Sequence, residues 1–190
     1  VATSRAQQLS TVDGPLKVNF IRFSPQGMTA LSWQGVEPMR AWAVQADGRA
    51  TQVGEPLKPE EVVDWAVPSP DLALVGMIDA KGQTRFWDVS IGKVRYTVPE
   101  AEGWTGASEV IFSPGSASVI VQCNCGESRW YDLKRDGGAL SFDHRGNFDP
   151  VLSQDGMRAA AGMSDNEARV WVNASIARSV RIRHRTSVKS

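Results

Sequence analysis

The run Pro68-Ser69-Pro70-Asp71-Leu72-Ala73-Leu74-Val75-Gly76-Met77, resumed after the turn residues Lys81-Gly82 by Thr84-Arg85-Phe86-Trp87-Asp88-Val89, decides how this 190-residue chain is read. The triplet centred on Ser69, followed by Asp71, has the composition of a tight turn: Pro presets φ, and Asp bonds its own nearby backbone. A short apolar segment comes next, then a polar turn at Gly82, then a strand ending on Trp87. Lys93-Val94-Arg95-Tyr96-Thr97-Val98 supplies a final strand, and Val62-Val63-Asp64-Trp65 supplies a β-rich one before the triplet. No apolar pattern of period 3.6 persists for three turns, so the unit reads as four short strands and no helix.

The same order recurs along the chain. Triplets stand at Phe23-Ser24-Pro25, Phe112-Ser113-Pro114 and Leu152-Ser153-Gln154, each followed by a glycine (Gly27, Gly115, Gly156) where the second unit has Asp71. β-rich stretches precede them at Val18-Asn19-Phe20-Ile21, Glu109-Val110-Ile111 and, more weakly, Phe148-Asp149-Pro150-Val151. Seventeen residues after the third triplet position stands an aromatic in every unit: Trp42, Trp87, Tyr131 and Trp171. The units themselves lie 45, 44 and 40 residues apart. A constant internal distance within units of varying spacing marks a repeat.

These units resemble WD40 repeats, which run ~40–45 residues and form four-stranded propeller blades. The resemblance rests on Phe23-Ser24-Pro25-Gln26-Gly27, on Phe112-Ser113-Pro114-Gly115, and above all on Arg85-Phe86-Trp87-Asp88-Val89 followed by Gly92-Lys93. It covers roughly residues 15–186. It implies an all-β propeller (WD40/YVTN-like) of four four-stranded antiparallel blades at residues 15–57, 58–99, 100–143 and 144–190. Residues 1–14 would be a linker or the end of a preceding blade. The structural repeat positions would be Trp42, Trp87, Asp88, Tyr131 and Trp171, with Trp33 on a second strand.

The departures from the family pattern are specific. Only the second unit has the Trp-Asp pair; Trp42 is followed by Ala43, Trp171 by Val172, and Tyr131 replaces Trp before Asp132. No unit keeps the Gly-His dipeptide. The family's Asp–His–Ser–Trp hydrogen-bond network is therefore expected to be missing, and apolar packing between blades to hold the array. The repeats are divergent in the manner of bacterial ones. Propellers of the family usually have seven or eight blades, so four form an open arc whose edge strands invite pairing. The chain is read as part of a longer propeller, with a small closed propeller and half of a ring completed by another chain as the alternatives. Ala2 to Ser10, read as the last strand of a preceding blade, favours the first.

Lys+Arg and Asp+Glu both number 21, but the balance is uneven. Residues 176–190 carry five basic side chains and no acidic one, leaving the body with a net charge of −5. A body of that sign lacks the basic footprint of a nucleic-acid surface. The alternation Val180-Arg181-Ile182-Arg183-His184-Arg185 reads as a strand with one buried and one basic, solvated face. No apolar run reaches the ~18–20 residues of a membrane span, and no signal-peptide core is present, so no membrane insertion is expected. The compartment stays open, with the cytoplasm favoured over an extracytoplasmic domain of a larger protein. Cys123 and Cys125 are read as two ordinary thiols, because two such residues on one strand would bridge only under strain.

Catalytic motifs are wanting: there is no nucleophile elbow, zinc-protease motif, phosphate-binding loop or dinucleotide fingerprint. No catalytic residue, metal ligand or cofactor site is expected, and Glu60-Glu61, Glu100 and Glu102 read as solvated loop acids. By the family pattern, partners bind the top-face loops. The candidate partner-binding residues are Glu60, Glu61, Lys81, Trp104, His144 and Arg145, with further second-to-third-strand turns at Glu37 and Glu127. Trp104 is either an exposed hot spot or a ring folded back over its blade. The expectation is a non-catalytic interaction or scaffold module that binds a protein or peptide. The alternatives are an accessory sensory or regulatory domain of a larger bacterial signalling or transport protein, and an enzyme with a central-channel site.

Overall fold

A computed structural model of the chain describes residues 20–23, 29–33, 38–60, 62–99, 104, 106–123, 125–133, 140–143, 150–162, 167–172 and 175–183. Among them there is no helix, and the strands follow one another in the predicted rhythm. They are β1 (Phe20–Phe23), β2 (Thr29–Trp33), β3 (Met39–Val44), β4 (Ala50–Leu57), β5 (Val63–Pro68), β6 (Leu74–Asp79), β7 (Thr84–Asp88) and β8 (Lys93–Thr97). Then come β9 (Ala107–Phe112), β10 (Ser118–Cys123), β11 (Glu127–Asp132), β12 (Leu140–Asp143), β13 (Val151–Leu152), β14 (Arg158–Gly162), β15 (Glu167–Val172) and β16 (Ser175–Arg183). Each consecutive four form an antiparallel meander, giving four small sheets. The chain is all-β, and its set of small antiparallel sheets is compatible with a β-propeller.

In the second, third and fourth sheets the serine at the centre of the triplet closes the first hairpin. Ser113 donates its N–H to the Ser118 carbonyl (2.9 Å) and accepts the Ser116 N–H on its own carbonyl (2.9 Å). Its Oγ accepts the N–H groups of Ala117 and Ser118 at 3.0 and 3.1 Å. Ser69 and Ser153 repeat the scheme with Leu74 and Arg158. The third residue after each serine is left-handed: Leu72 (φ 58), Ser116 (φ 54) and Gly156 (φ 67). Gly156 therefore occupies the position that needs glycine, whereas Asp71 and Gly115 stand one place earlier. Leu72 and Ser116 adopt that backbone at a cost of ~1–2 kcal/mol each.

Strand alternation gives every sheet two faces, and the register shows which residues share them. In the second sheet Val75 pairs with Trp87 and Met77 with Arg85, while Gly76 pairs with Phe86. The face bearing the repeat aromatic is called the front here. The front of the second sheet packs Val75, Met77 and Trp87 onto Leu31, Met39 and Leu57 on the back of the first. The third sheet sets Phe112, Val119 and Tyr131 against Leu74, Ile78 and Phe86 of the second. The fourth sets Ala159, Ala161 and Trp171 against Ile120 and Trp130 of the third. One joint is thus built three times. Its cores are apolar, so the expectation that packing between neighbours holds the array agrees with what is seen.

The joints are tight where glycine permits. A Cβ on Gly54 (φ 68), in a bulge of β4, would lie 2.0 Å from the Val89 carbonyl oxygen across the first joint. One on Gly76 would lie 2.7 Å from Val110 Cγ1 across the second. Successive hairpin turns are also linked: Asp71 N–H donates to Ser116 Oγ (3.1 Å), and Gly115 N–H to the Gln154 carbonyl (3.1 Å).

Four expectations need correction. Cys123 and Cys125 are joined by a disulfide, not two free thiols. They do not share an extended strand: Cys123 ends β10 and the chain turns at once, with Gly126 N–H bonded to the Cys123 carbonyl, bringing the Cα atoms to 5.1 Å, within bridging range. Glu127 opens β11 rather than lying in a turn. The basic strand forms as β16, but Val180 and Ile182 are exposed instead of buried. They lie on the back of the fourth sheet, which no further sheet covers among the described residues. Finally, a serine–tryptophan bond of the kind expected to be missing is present, Trp42 Nε1 donating to Ser32 Oγ at 2.8 Å.

Candidate functional site

Two loops meet where the second sheet passes to the third. The β6–β7 turn is shaped by Asp79. Its carbonyl accepts the Gly82 N–H (2.8 Å), and its Oδ1 accepts the N–H groups of Lys81 and Gln83 at 2.9 and 3.0 Å. The β8–β9 connection is held at its start by Gln83, whose Nε2 donates to the Val98 carbonyl (2.7 Å). Gly82 (φ 79) and Gly106 (φ 97) then touch backbone to backbone: a Cβ on Gly82 would stand 2.7 Å from Gly106 Cα. Ala107 N–H seals the contact on the Gly82 carbonyl (2.9 Å).

This approach encloses a cleft of about 210 Å³ lined by Lys81, Gln83, Pro99 and Trp104, with the two glycines at its base. Trp104 is half-buried. It packs against the core of the second joint, and the Arg129 guanidinium carbon lies 4.0 Å from its ring centroid. Arg129 is itself buried; it donates through Nη1 to the Pro99 carbonyl (2.7 Å), and its Nε lies 3.5 Å from Glu127 Oε1. The indole is folded back over the sheets, as one of the two readings of Trp104 has it, yet it still forms part of the cleft wall.

A smaller cavity of about 90 Å³ opens at the preceding joint, lined by Glu60, Val63, Asp79, Arg85, Trp87 and Val94 among others. Its polar wall is the ion pair of Arg85 Nη1 with Asp79 Oδ2 (2.6 Å). Burial alone would raise the Asp79 pKa, but the Arg85 hydrogen bond and the Gln83 and Lys81 N–H groups outweigh it and hold the carboxyl below its ordinary range. Beneath the cleft, burial and then the nearby Tyr96 push the Tyr131 phenol up to about 12, against the opposing pull of Arg129.

Of the residues singled out from sequence, Lys81 and Trp104 come together in one cleft, and Glu60 lines the neighbouring cavity. Glu61, His144 and Arg145 lie outside the described residues. Trp87, Tyr131 and Trp171 are buried in the three joints, whereas Trp42 stands half-exposed on the front of the first sheet. Asp88 accepts the Ser90 N–H (3.0 Å) and its hydroxyl, fixing the β7–β8 turn.

Sequence reasoning passed over the arginines. Arg40, Arg85, Arg129 and Arg169 all stand two residues before the repeat aromatic. That spacing puts each on its sheet's front face; Arg85 lines the smaller cavity, and Arg129 lies over the Trp104 ring that walls the cleft. The periodicity was present in the sequence for anyone aligning the units on their aromatics. No protein-family model matches the chain, and no curated protein matches it.

Chemically, the cleft offers an indole edge, an amide, backbone carbonyls and one flexible ammonium. Among the described residues no three His, Cys, Asp or Glu side chains converge as metal ligands do.

Proposed function

We propose that the chain is a non-catalytic module that binds a protein or peptide, built as an arc of four WD40-like propeller blades that belongs to a larger ring. The reading is supported chiefly by Trp104. Its ring is clamped between Arg129 and the core of the second joint while one part stays open to the cleft beside Lys81. An aromatic side chain ordered in advance loses little entropy on binding and buries much area, which is why such residues dominate interaction energies. The surrounding loops stand on sheets interlocked by apolar joints, the arrangement in which connecting loops carry recognition.

The test is to pan a displayed random-peptide library against the whole chain and measure enriched peptides against Trp104→Ala. Hot-spot behaviour predicts a loss of ~2 kcal/mol or more, about 30-fold in affinity, measured below the lowered unfolding midpoint of the variant, whose fold is checked by circular dichroism. Peptides that bind the variant as tightly as the parent, or a library that yields none, would refute the cleft as the recognition site.

A further inference from the structure

Each internal joint seats the front of one sheet on the back of the sheet before it, which leaves two faces of the series without a neighbour among the described residues. One is the back of the fourth sheet. The register places Val151 opposite Ala160, Val170 opposite Val180 and Ala168 opposite Ile182, so all six share that face. Val151, Val180 and Ile182 are 60%, 61% and 51% exposed. In the second sheet Phe86 and Val98, in the places of Val170 and Ile182, are buried, as is Trp130 in the third, while Tyr96, in the place of Val180, is itself 40% exposed. The other open face is the front of the first sheet. There Phe23, Ala30 and Trp42 align across β1, β2 and β3; Phe23 is 55% exposed and Trp42 half-buried, while the small Ala30 is buried. A repeat that buries its apolar face only against a neighbour is left incomplete at such ends.

The two open faces are the two halves of the joint already built three times in this chain. Trp42 holds the place that Trp87, Tyr131 and Trp171 hold when they seat on a preceding sheet, and it carries the same arginine, Arg40, two residues before it. Val170 and Val180 hold the place of Phe86 and Tyr96, which receive Tyr131 at ring-centroid distances of 6.3 and 5.7 Å. We propose that the back of the fourth sheet is a docking surface for a second copy of this chain, which seats the Trp42–Phe23 front of its first sheet there. The contact is head-to-tail: two different surfaces meet, so it closes into a ring or grows, according to the rotation per chain. The identity of the occupant follows from the match of faces. The apolar back face takes the front of a sheet, and the one unseated front among the described residues belongs to the first sheet. This inference is separate from the Trp104 cleft, which lies at an internal joint and would survive its failure.

The experiment is light scattering of the full chain on a size-exclusion column across the micromolar range, with two surface variants. Val180→Asp combined with Ile182→Asp blocks the fourth-sheet face; Phe23→Asp blocks the first-sheet face. All three residues are more than half exposed, so circular dichroism and the unfolding midpoint should stay as in the parent. The expected result is a parent particle of two or more chains of 20.7 kDa, with each variant alone reduced to one chain. An equimolar mixture of the two variants should recover a particle of two chains and go no further, since one front and one back remain good. A parent that is monomeric throughout overturns the proposal and leaves these faces to further repeats of a longer polypeptide. So does a particle of two chains formed by Phe23→Asp alone, which would mean a symmetric contact of like faces.

Discussion

Arg129 lies over Trp104, its guanidinium carbon 4.0 Å from the ring centroid, and the same group donates to the carbonyl of Pro99 on the loop that carries the indole. The arginine is buried in the third sheet, so it ties that sheet to the connection arriving from the second. A cation over an indole face is worth ~1–2 kcal/mol when partly desolvated. Arg129→Met keeps the stem and removes both interactions. We expect a loss of ~1–3 kcal/mol in stability, the usual cost of leaving a buried acceptor without its donor. In a chain labelled with 5-fluorotryptophan, the Trp104 signal, assigned through Trp104→Phe, should move toward its unfolded position. An unmoved signal would show that the clamp does not hold the ring.

Asp79 closes the β6–β7 turn and pairs with Arg85. Its carboxyl titrates below the ordinary value, so its contribution is present above the normal carboxylate range and is lost as pH falls through the folded value. Asp79→Asn should cost ~1–2 kcal/mol at neutral pH, since a charged hydrogen bond is lost but the half-buried Arg85 left behind can still reach water. The gap between parent and variant should narrow in acid, where the parent is itself protonated. Thermal unfolding over a pH series checks this; a gap of equal size in acid and at neutrality would contradict it.

Tyr131 behaves in the opposite sense. Its folded value of about 12 exceeds that of a free phenol, so its contribution is complete below the unfolded value and is lost as pH rises through the folded one. The chain has two tyrosines, Tyr96 and Tyr131, so Tyr96→Phe leaves one phenol to follow by ultraviolet absorbance. The variant also removes the repulsion contributed by Tyr96. Ionisation should still begin only well above pH 10, because burial is the larger cause. Titration near the free-phenol value would mean that the second joint is open to water.

Two glycines separate backbone strain from packing. Gly54 (φ 68) and Gly126 (φ 85) are both left-handed, but a Cβ at Gly126 meets nothing within 4 Å whereas one at Gly54 runs into the Val89 carbonyl. Gly126→Ala should cost only the backbone term, ~1–2 kcal/mol. Gly54→Ala should cost that and clearly more, because backbone of the neighbouring sheet must shift. Urea unfolding of the two variants decides it, and equal losses would mean that the first joint is looser than described.

Much of this architecture was legible in the residues alone. Alternation of period two, the serine-centred turns and the recurring aromatics are local signals, because strand and turn formation depend on neighbours along the chain. They located the four-strand units, placed Lys81 in a turn and Trp104 in a connection, and made Val180-Arg181-Ile182-Arg183 a strand. They also showed which side chains share a face of a sheet. What covers a face is not local. Whether Val180 is buried depends on the presence of another sheet, and no pattern within β16 carries that information. The Lys81–Trp104 cleft required Gly82 to touch Gly106, the clamp on Trp104 required Arg129 from the next sheet, and the Cys123–Cys125 bridge required a turn where extended strand was expected. Each of these depends on how sheets stack or how a turn closes in three dimensions, so the tertiary structure decided them.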